Sequence, residues 1–132
     1  MATSPATDRA AATLALVQRT AAICLDHKAV DLVVLSLRGV SDMTDYFVIA
    51  SGTSDTHVRA LGESIQEGLK KDGTTAHHVE GVTQGRWVLL DYVDFVVHLF
   101  HPSLRDFYQL ERLWGDAQVV PVTAQSVSGP SR

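Results

Sequence analysis

The sequence predicts a single α/β domain with about five strands and flanking helices. Three observations carry that expectation. Apolar residues recur at helical intervals in two segments, Leu14, Val17, Ala21, Cys24 and Leu25, then Val58, Leu61, Ile65 and Leu69. Between and after them lie short runs rich in β-branched and aromatic residues, DLVVLSL, DYFVIAS, RWVLLDY and DFVVHLF, which suit a pleated, largely buried surface. The 132 residues, 45% apolar and 20% charged, suffice for one domain with a true core.

Taken in order, residues 1–7 are expected to be flexible and 8–115 to form the folded domain. The first helix spans about Thr7 to His27. A strand follows over Asp31–Leu37, then the turn-rich RGVSDMT and a second strand over Asp45–Ser51. The short link predicts an antiparallel pair. After Gly52, Thr53 or Ser54 is the natural N-cap of a second helix. Asp55 suits the positive end of its dipole, and Lys70, Lys71 and Gly73 suit its end. HHVEG reads as a short edge strand. RWVLLDY and DFVVHLF read as a hairpin about Tyr92 and Val93, before a short helix through LRDFYQLERLW. After Asp116 the prolines and small polar residues predict a disordered tail over 116–132.

Charge and cysteine usage narrow the function classes. A net charge of −4 argues against a protein that holds nucleic acid by neutralising phosphates, and favours a basic protein surface as partner. DNA is not expected as a partner, and RNA contact is at most minor. Cys24 is the single cysteine, so an intramolecular disulfide and a cysteine-rich zinc site are both excluded. A reducing, cytoplasmic setting fits. Gln18 and Arg19 break the apolar run that resembles a signal peptide, and no stretch reaches the roughly 18 to 20 apolar residues of a membrane span.

The segment DMTDYFVIASGTSDTHVRAL, residues 42–61, concentrates the chemistry to be weighed. A strand, glycine turn and helix start can cradle phosphate, yet this turn has one glycine, no Walker lysine and Asp55 in the first helical turn. Asp42 and Asp45 are the candidate carboxylate pair for magnesium in a nucleotidyltransferase-like enzyme, the alternative reading of function. Their D-x-x-D spacing at a strand entrance does not put both side chains on one face. Of the six histidines, neither His77 with His78 nor His98 with His101 points to one side of a strand, and no HExxH helix occurs. No metal and no cofactor are expected. Cys24 belongs with the core.

The hairpin offers the alternative to catalysis. With Tyr92 and Val93 as its loop, Trp87, Leu89 and Asp91 share a sheet face with Asp94, Val96 and His98, and Trp87 stands opposite His98. The competing reading is a half-buried face covered by helices.

The segments TDYFVIASGTSDTHV, RWVLLDYVDFVVHLF and RDFYQLERLWGDA resemble the ribosomal silencing factor family, RsfS or Iojap, over about Leu14 to Ala117. The resemblance implies a mixed sheet of nucleotidyltransferase-like topology without catalytic equipment. It implies binding to large-subunit ribosomal protein L-fourteen and a steric block of subunit joining when nutrients are scarce. It also makes room for a homodimer of the free chain. Trp87, Leu90, Asp91, Asp94 and His98 match the hairpin motif; Arg105, Tyr108, Leu110, Glu111 and Trp114 match the C-terminal motif; Thr44, Asp45, Gly52, Ser54, His57 and Val58 match the third. The expected partner-binding set is Trp87, Leu90, Asp91, Tyr92, Asp94, His98, Arg105 and Tyr108, with Leu110 and Leu113 facing the core. Val93 departs from the family's usual glycine, which puts a two-residue turn in question because a β-branched residue resists positive φ.

Overall fold

The computed structural model describes residues 5–104 and 117–122. Helix α1 (Pro5–Asp26) leads into β1 (Val30–Ser36) and β2 (Tyr46–Ser51), then helix α2 (Asp55–Lys71). Three strands follow, β3 (His78–Glu80), β4 (Trp87–Asp91) and β5 (Phe95–Phe100), and β6 (Gln118–Val119) ends the described chain. The strands lie in the order β3-β4-β5-β2-β1-β6. Only β2 and β5 run parallel among these pairs; the others are antiparallel, so the sheet is mixed, as expected.

Each helix end follows from its local sequence. Ser54 caps α2 in an extended conformation and accepts the His57 N–H at 3.1 Å. At the other end Gly73, at φ +92°, lets the Thr74 N–H reach the Leu69 carbonyl at 2.8 Å. Helix α1 closes with the same wrap, Ala29 N–H to Cys24 carbonyl at 2.8 Å, but with Lys28 in the left-handed region at φ +64°.

Strand alternation sorts the sheet into two faces. Val34, Val48, Ala50, Val88, Leu90, Val97 and Leu99 point to the side on which Val17, Ala21 and Cys24 of α1 and Val58, Leu61, Ile65 and Leu69 of α2 pack, forming the main core. Burial pushes the Cys24 thiol up to about 12, which removes it from nucleophilic chemistry at neutral pH. The opposite face carries Leu35, Phe47, Ile49, Trp87 and Phe100 in a smaller cluster with Leu104 and Ala117. Neither α1 nor α2 covers it.

Three expectations need correction here. The sheet has six strands: Gln118 and Val119, placed in the tail expected to be disordered, pair with Ser36 and Leu35, and the Val120 N–H bonds the Val34 carbonyl at 2.8 Å. The two adjacent valines can use the free edge of β1 despite their polar surroundings. Helix α1 begins at Pro5, within the stretch expected to be flexible. The hairpin register is displaced: Trp87 pairs with Phe100, and Leu89 with His98. The loop residues are Val93 and Asp94, because Tyr92 N–H bonds the Phe95 carbonyl at 2.9 Å. Val93 does adopt a positive φ, +72°, and the Asp94 N–H reaches back to the Tyr92 carbonyl at 2.9 Å across it. That is the hydrogen bond of the rare, strained γ-turn. The Asp91 carboxylate helps hold it by accepting the Val93 N–H at 2.7 Å.

Candidate functional site

The face that α1 and α2 leave uncovered gathers most of the hairpin's chemistry. A register shift of two residues preserves parity, so Trp87, Leu89 and Asp91 still share a face with Val96 and His98. The parallel pairing of β2 with β5 then sets Phe47 beside Val96. A cavity of about 260 Å³ opens there, walled by Phe47, Leu89, Val96 and His98, with Asp91 and Thr44 at its polar positions. Val93 and Met43 stand at its border, 50% and 89% exposed. A second cavity of about 230 Å³ lies on the other side of Leu89, lined by Trp87, Gly81 and Glu80. Gly81, at φ +81°, is required there, since a Cβ would fall 2.1 Å from the Trp87 carbonyl oxygen.

His98 is the most constrained group at the site. It is 6% exposed, and its Nδ1 accepts the Trp87 indole N–H at 3.2 Å. That bond assigns the proton of the neutral ring to Nε2. Burial lowers the imidazole from its usual 6.5 to about 4, so it is uncharged at neutral pH. Its ring meets Phe47 edge to face, centroids 4.6 Å apart. The Nε2–H and the Thr44 hydroxyl are both buried without a hydrogen-bond partner, and both side chains line the larger cavity. Trp87 is half-buried, its ring 5.1 Å from that of Phe100.

The expected partner-binding residues therefore separate. Trp87, Asp91 and His98 come together on the face that α1 and α2 leave uncovered. Leu90 and Tyr92 do not: their parity turns them under the helices, where Leu90 is fully buried and Tyr92, 8% exposed, stacks on Phe95 with ring centroids 4.9 Å apart. The Tyr92 hydroxyl has no partner, and burial raises it above the usual phenol range. Asp94 lies in the turn and is gripped from α1 by Arg9, whose Nε donates to Oδ2 at 3.0 Å while Nη2 meets Oδ1. Asp94 raises the guanidinium above its usual value, through the hydrogen bond first and the opposite charge second. Arg105, Tyr108, Leu110, Glu111, Leu113 and Trp114 lie outside the described residues.

Residues 42–61 serve as support. Gly52 lets the chain turn tightly, since a Cβ there would meet Val58 at 2.8 Å. The His57 ring accepts the Thr53 N–H at 2.8 Å and lies 2.8 Å from the His27 carbonyl, tying the start of α2 to the end of α1. Asp55 faces His101 at 3.3 Å across to the end of β5. Among the described residues no group of three or more His, Cys, Asp or Glu side chains is placed to hold a metal ion. No described helix is long and apolar enough to cross a membrane.

Sequence periodicity missed Phe47 and Thr44 as cavity walls and Arg9 as the partner of Asp94. The first two enter only through the pairing of β2 with β5, and Arg9 lies 85 positions from Asp94. No short-range signal reports either relation.

Comparison with known proteins gives a consistent picture. A family model described as ribosomal silencing factor during starvation matches residues 10–132. The ribosomal silencing factor RsfS of Bacillus subtilis is 43% identical over 97 residues, 74% of this chain and 82% of that protein. A crystal structure from Chromobacterium violaceum superposes with a TM-score of 0.74 at 31% identity, covering 88% of this chain and 96% of the other. One from Bacillus halodurans gives 0.72 at 36% identity, covering 80% and 96%.

Proposed function

This chain belongs to the ribosomal silencing factor family, and from that membership we propose that it binds large-subunit ribosomal protein L-fourteen and blocks, by steric overlap, the joining of the two ribosomal subunits. The sheet face that α1 and α2 leave uncovered is the docking surface in this reading. Translation is damped by occupancy of the large subunit under nutrient limitation, without a catalytic step, and the protein acts in the cytoplasm.

The observation that supports this reading most directly is the paired cavities flanking Leu89. Each combines apolar walls with a carboxylate, Asp91 in one and Glu80 in the other. Such a surface suits a basic protein and disfavours bare phosphates. Trp87, Leu89, Asp91 and Val93 form the contact with His98 as its floor, and Arg105 and Tyr108 join it by family resemblance alone. Half-buried aromatics of this kind supply large contact area at low entropic cost. In the free chain the same face serves a homodimer, which separates before docking.

The test has two arms. After nuclease treatment the protein should still bind purified L-fourteen, and isolated ribosomal RNA should bind weakly with a shallow salt dependence. On sucrose gradients it should migrate with free large subunits and reduce their joining to small subunits. Tight RNA binding with no affinity for L-fourteen, or unimpaired joining at saturating protein, refutes the reading.

A further inference from the structure

Resting on the reading of this face as a protein-docking surface, we propose that the cavity between Phe47 and Leu89 is a socket for one basic side chain of the partner. The aliphatic stem of an arginine or lysine lies against Phe47, Leu89 and Val96, and its charged end meets the Asp91 carboxylate.

The chemistry of the walls selects this occupant. A long cationic side chain buries its methylenes against apolar surface while its head seeks a carboxylate. Asp91 is the acidic group of the cavity wall, and among the described residues its side chain is engaged through Oδ1, by the Val93 N–H. Asp94, which the turn holds nearby, is already matched by Arg9 and adds no free anion. A carboxylate or phosphate is opposed by Asp91, and among the described residues no cationic side chain lines the cavity to offset it. His98 stays neutral, so it does not repel a cation. The neighbouring cavity has Trp87 as its aromatic wall, but its acid, Glu80, already meets the His78 ring at 2.6 Å, so the cavity bordered by Asp91 is the better socket.

The experiment uses the full chain and three readouts. Asp91→Asn keeps an oxygen for the Val93 N–H and removes the charge; it should weaken L-fourteen binding about tenfold and flatten the salt dependence. Val96→Phe, which fills the cavity, should weaken binding at least as much while thermal melts confirm that it is folded. Independently of L-fourteen, n-propylguanidinium titrated into the wild-type protein should shift the NMR signals of Phe47, Leu89 and Val96, and should not do so in Asp91→Asn. Propionate should leave them unchanged. If L-fourteen fails to bind but propylguanidinium still maps to the cavity, the socket stands and the partner reading falls. Propylguanidinium shifts that are absent or lie elsewhere overturn the socket. So does L-fourteen binding that is lost on filling the cavity but unchanged by Asp91→Asn, because the occupant is then apolar.

Discussion

Lowering the pH should destabilise the fold specifically through His98. In the unfolded chain this imidazole takes its proton near 6.5, whereas in the fold burial holds it to about 4. Above pH 6.5 the ring is neutral in both states and stability is at its full value. As pH falls through 6.5 the unfolded chain binds a proton that the folded chain refuses, so the unfolded state gains. The loss grows until the folded ring titrates near 4 and is constant below. Linkage places it at about 2 kcal/mol by pH 5 and about 3 kcal/mol by pH 4 relative to pH 7.5. That is a large fraction of the roughly 5 to 15 kcal/mol that stabilises a typical domain. Urea melts of the wild type and of His98→Gln at pH 7.5 and 5 isolate the effect, because the other histidines are common to both. The mutant should lose about 2 kcal/mol less than the wild type over that interval. A histidine NMR titration should find the His98 ring still neutral at pH 5. If both proteins lose stability equally, or His98 titrates near 6.5, the ring is not held neutral as described.

Other outcomes follow from neighbouring residues. Trp87→Ala should cost about 2 kcal/mol of stability, below the roughly 3 to 5 expected for a fully buried tryptophan, because the indole is half-buried. It should also weaken L-fourteen binding about thirtyfold, measured by calorimetry on the same preparation; unchanged affinity removes Trp87 from the contact. Tyr92→Phe deletes a buried hydroxyl that has no partner, so melts should show stability unchanged or raised by about 1 kcal/mol, with L-fourteen affinity intact. Val93→Gly relieves a β-branched residue at φ +72° and should stabilise by about 1 kcal/mol net of the extra freedom of the unfolded chain; a lower melting temperature contradicts the strain.

The sequence was most informative where one element decides the outcome. Ser54 and Gly73 marked the ends of α2, and strand alternation put Trp87, Leu89 and Asp91 on one face whichever even shift the hairpin took. It failed where distant segments decide. The turn moved by one residue because Val93 accepts a conformation usual for glycine, with Asp91 and the Tyr92 carbonyl holding it there. Motif resemblance places Leu90 among the partner contacts and aromatic character places Tyr92 there, although their even positions already set them apart from Trp87 and Asp91. Strand β6 escaped notice because a two-residue strand has no period to read, and its partner edge lies in β1.

The parallel pairing of β2 with β5 also bears on how the chain assembles. On one side of this seam β1 and β2 are joined by a short loop, and on the other β4 and β5 close a tight hairpin; both pairs form from neighbouring sequence. The seam itself must bring Tyr46 beside Phe95, with all of α2, β3 and β4 intervening. Closing so long a loop is entropically costly until the contacts it enables are made. Loop-closure entropy therefore favours pairing of β2 with β5 after the two local strand pairs have formed. The larger cavity spans that seam, with Phe47 contributed by one pair and Leu89, Val96 and His98 by the other. A nascent chain thus lacks this cavity until β2 and β5 have paired, so under the proposed docking it would engage a partner only once folded.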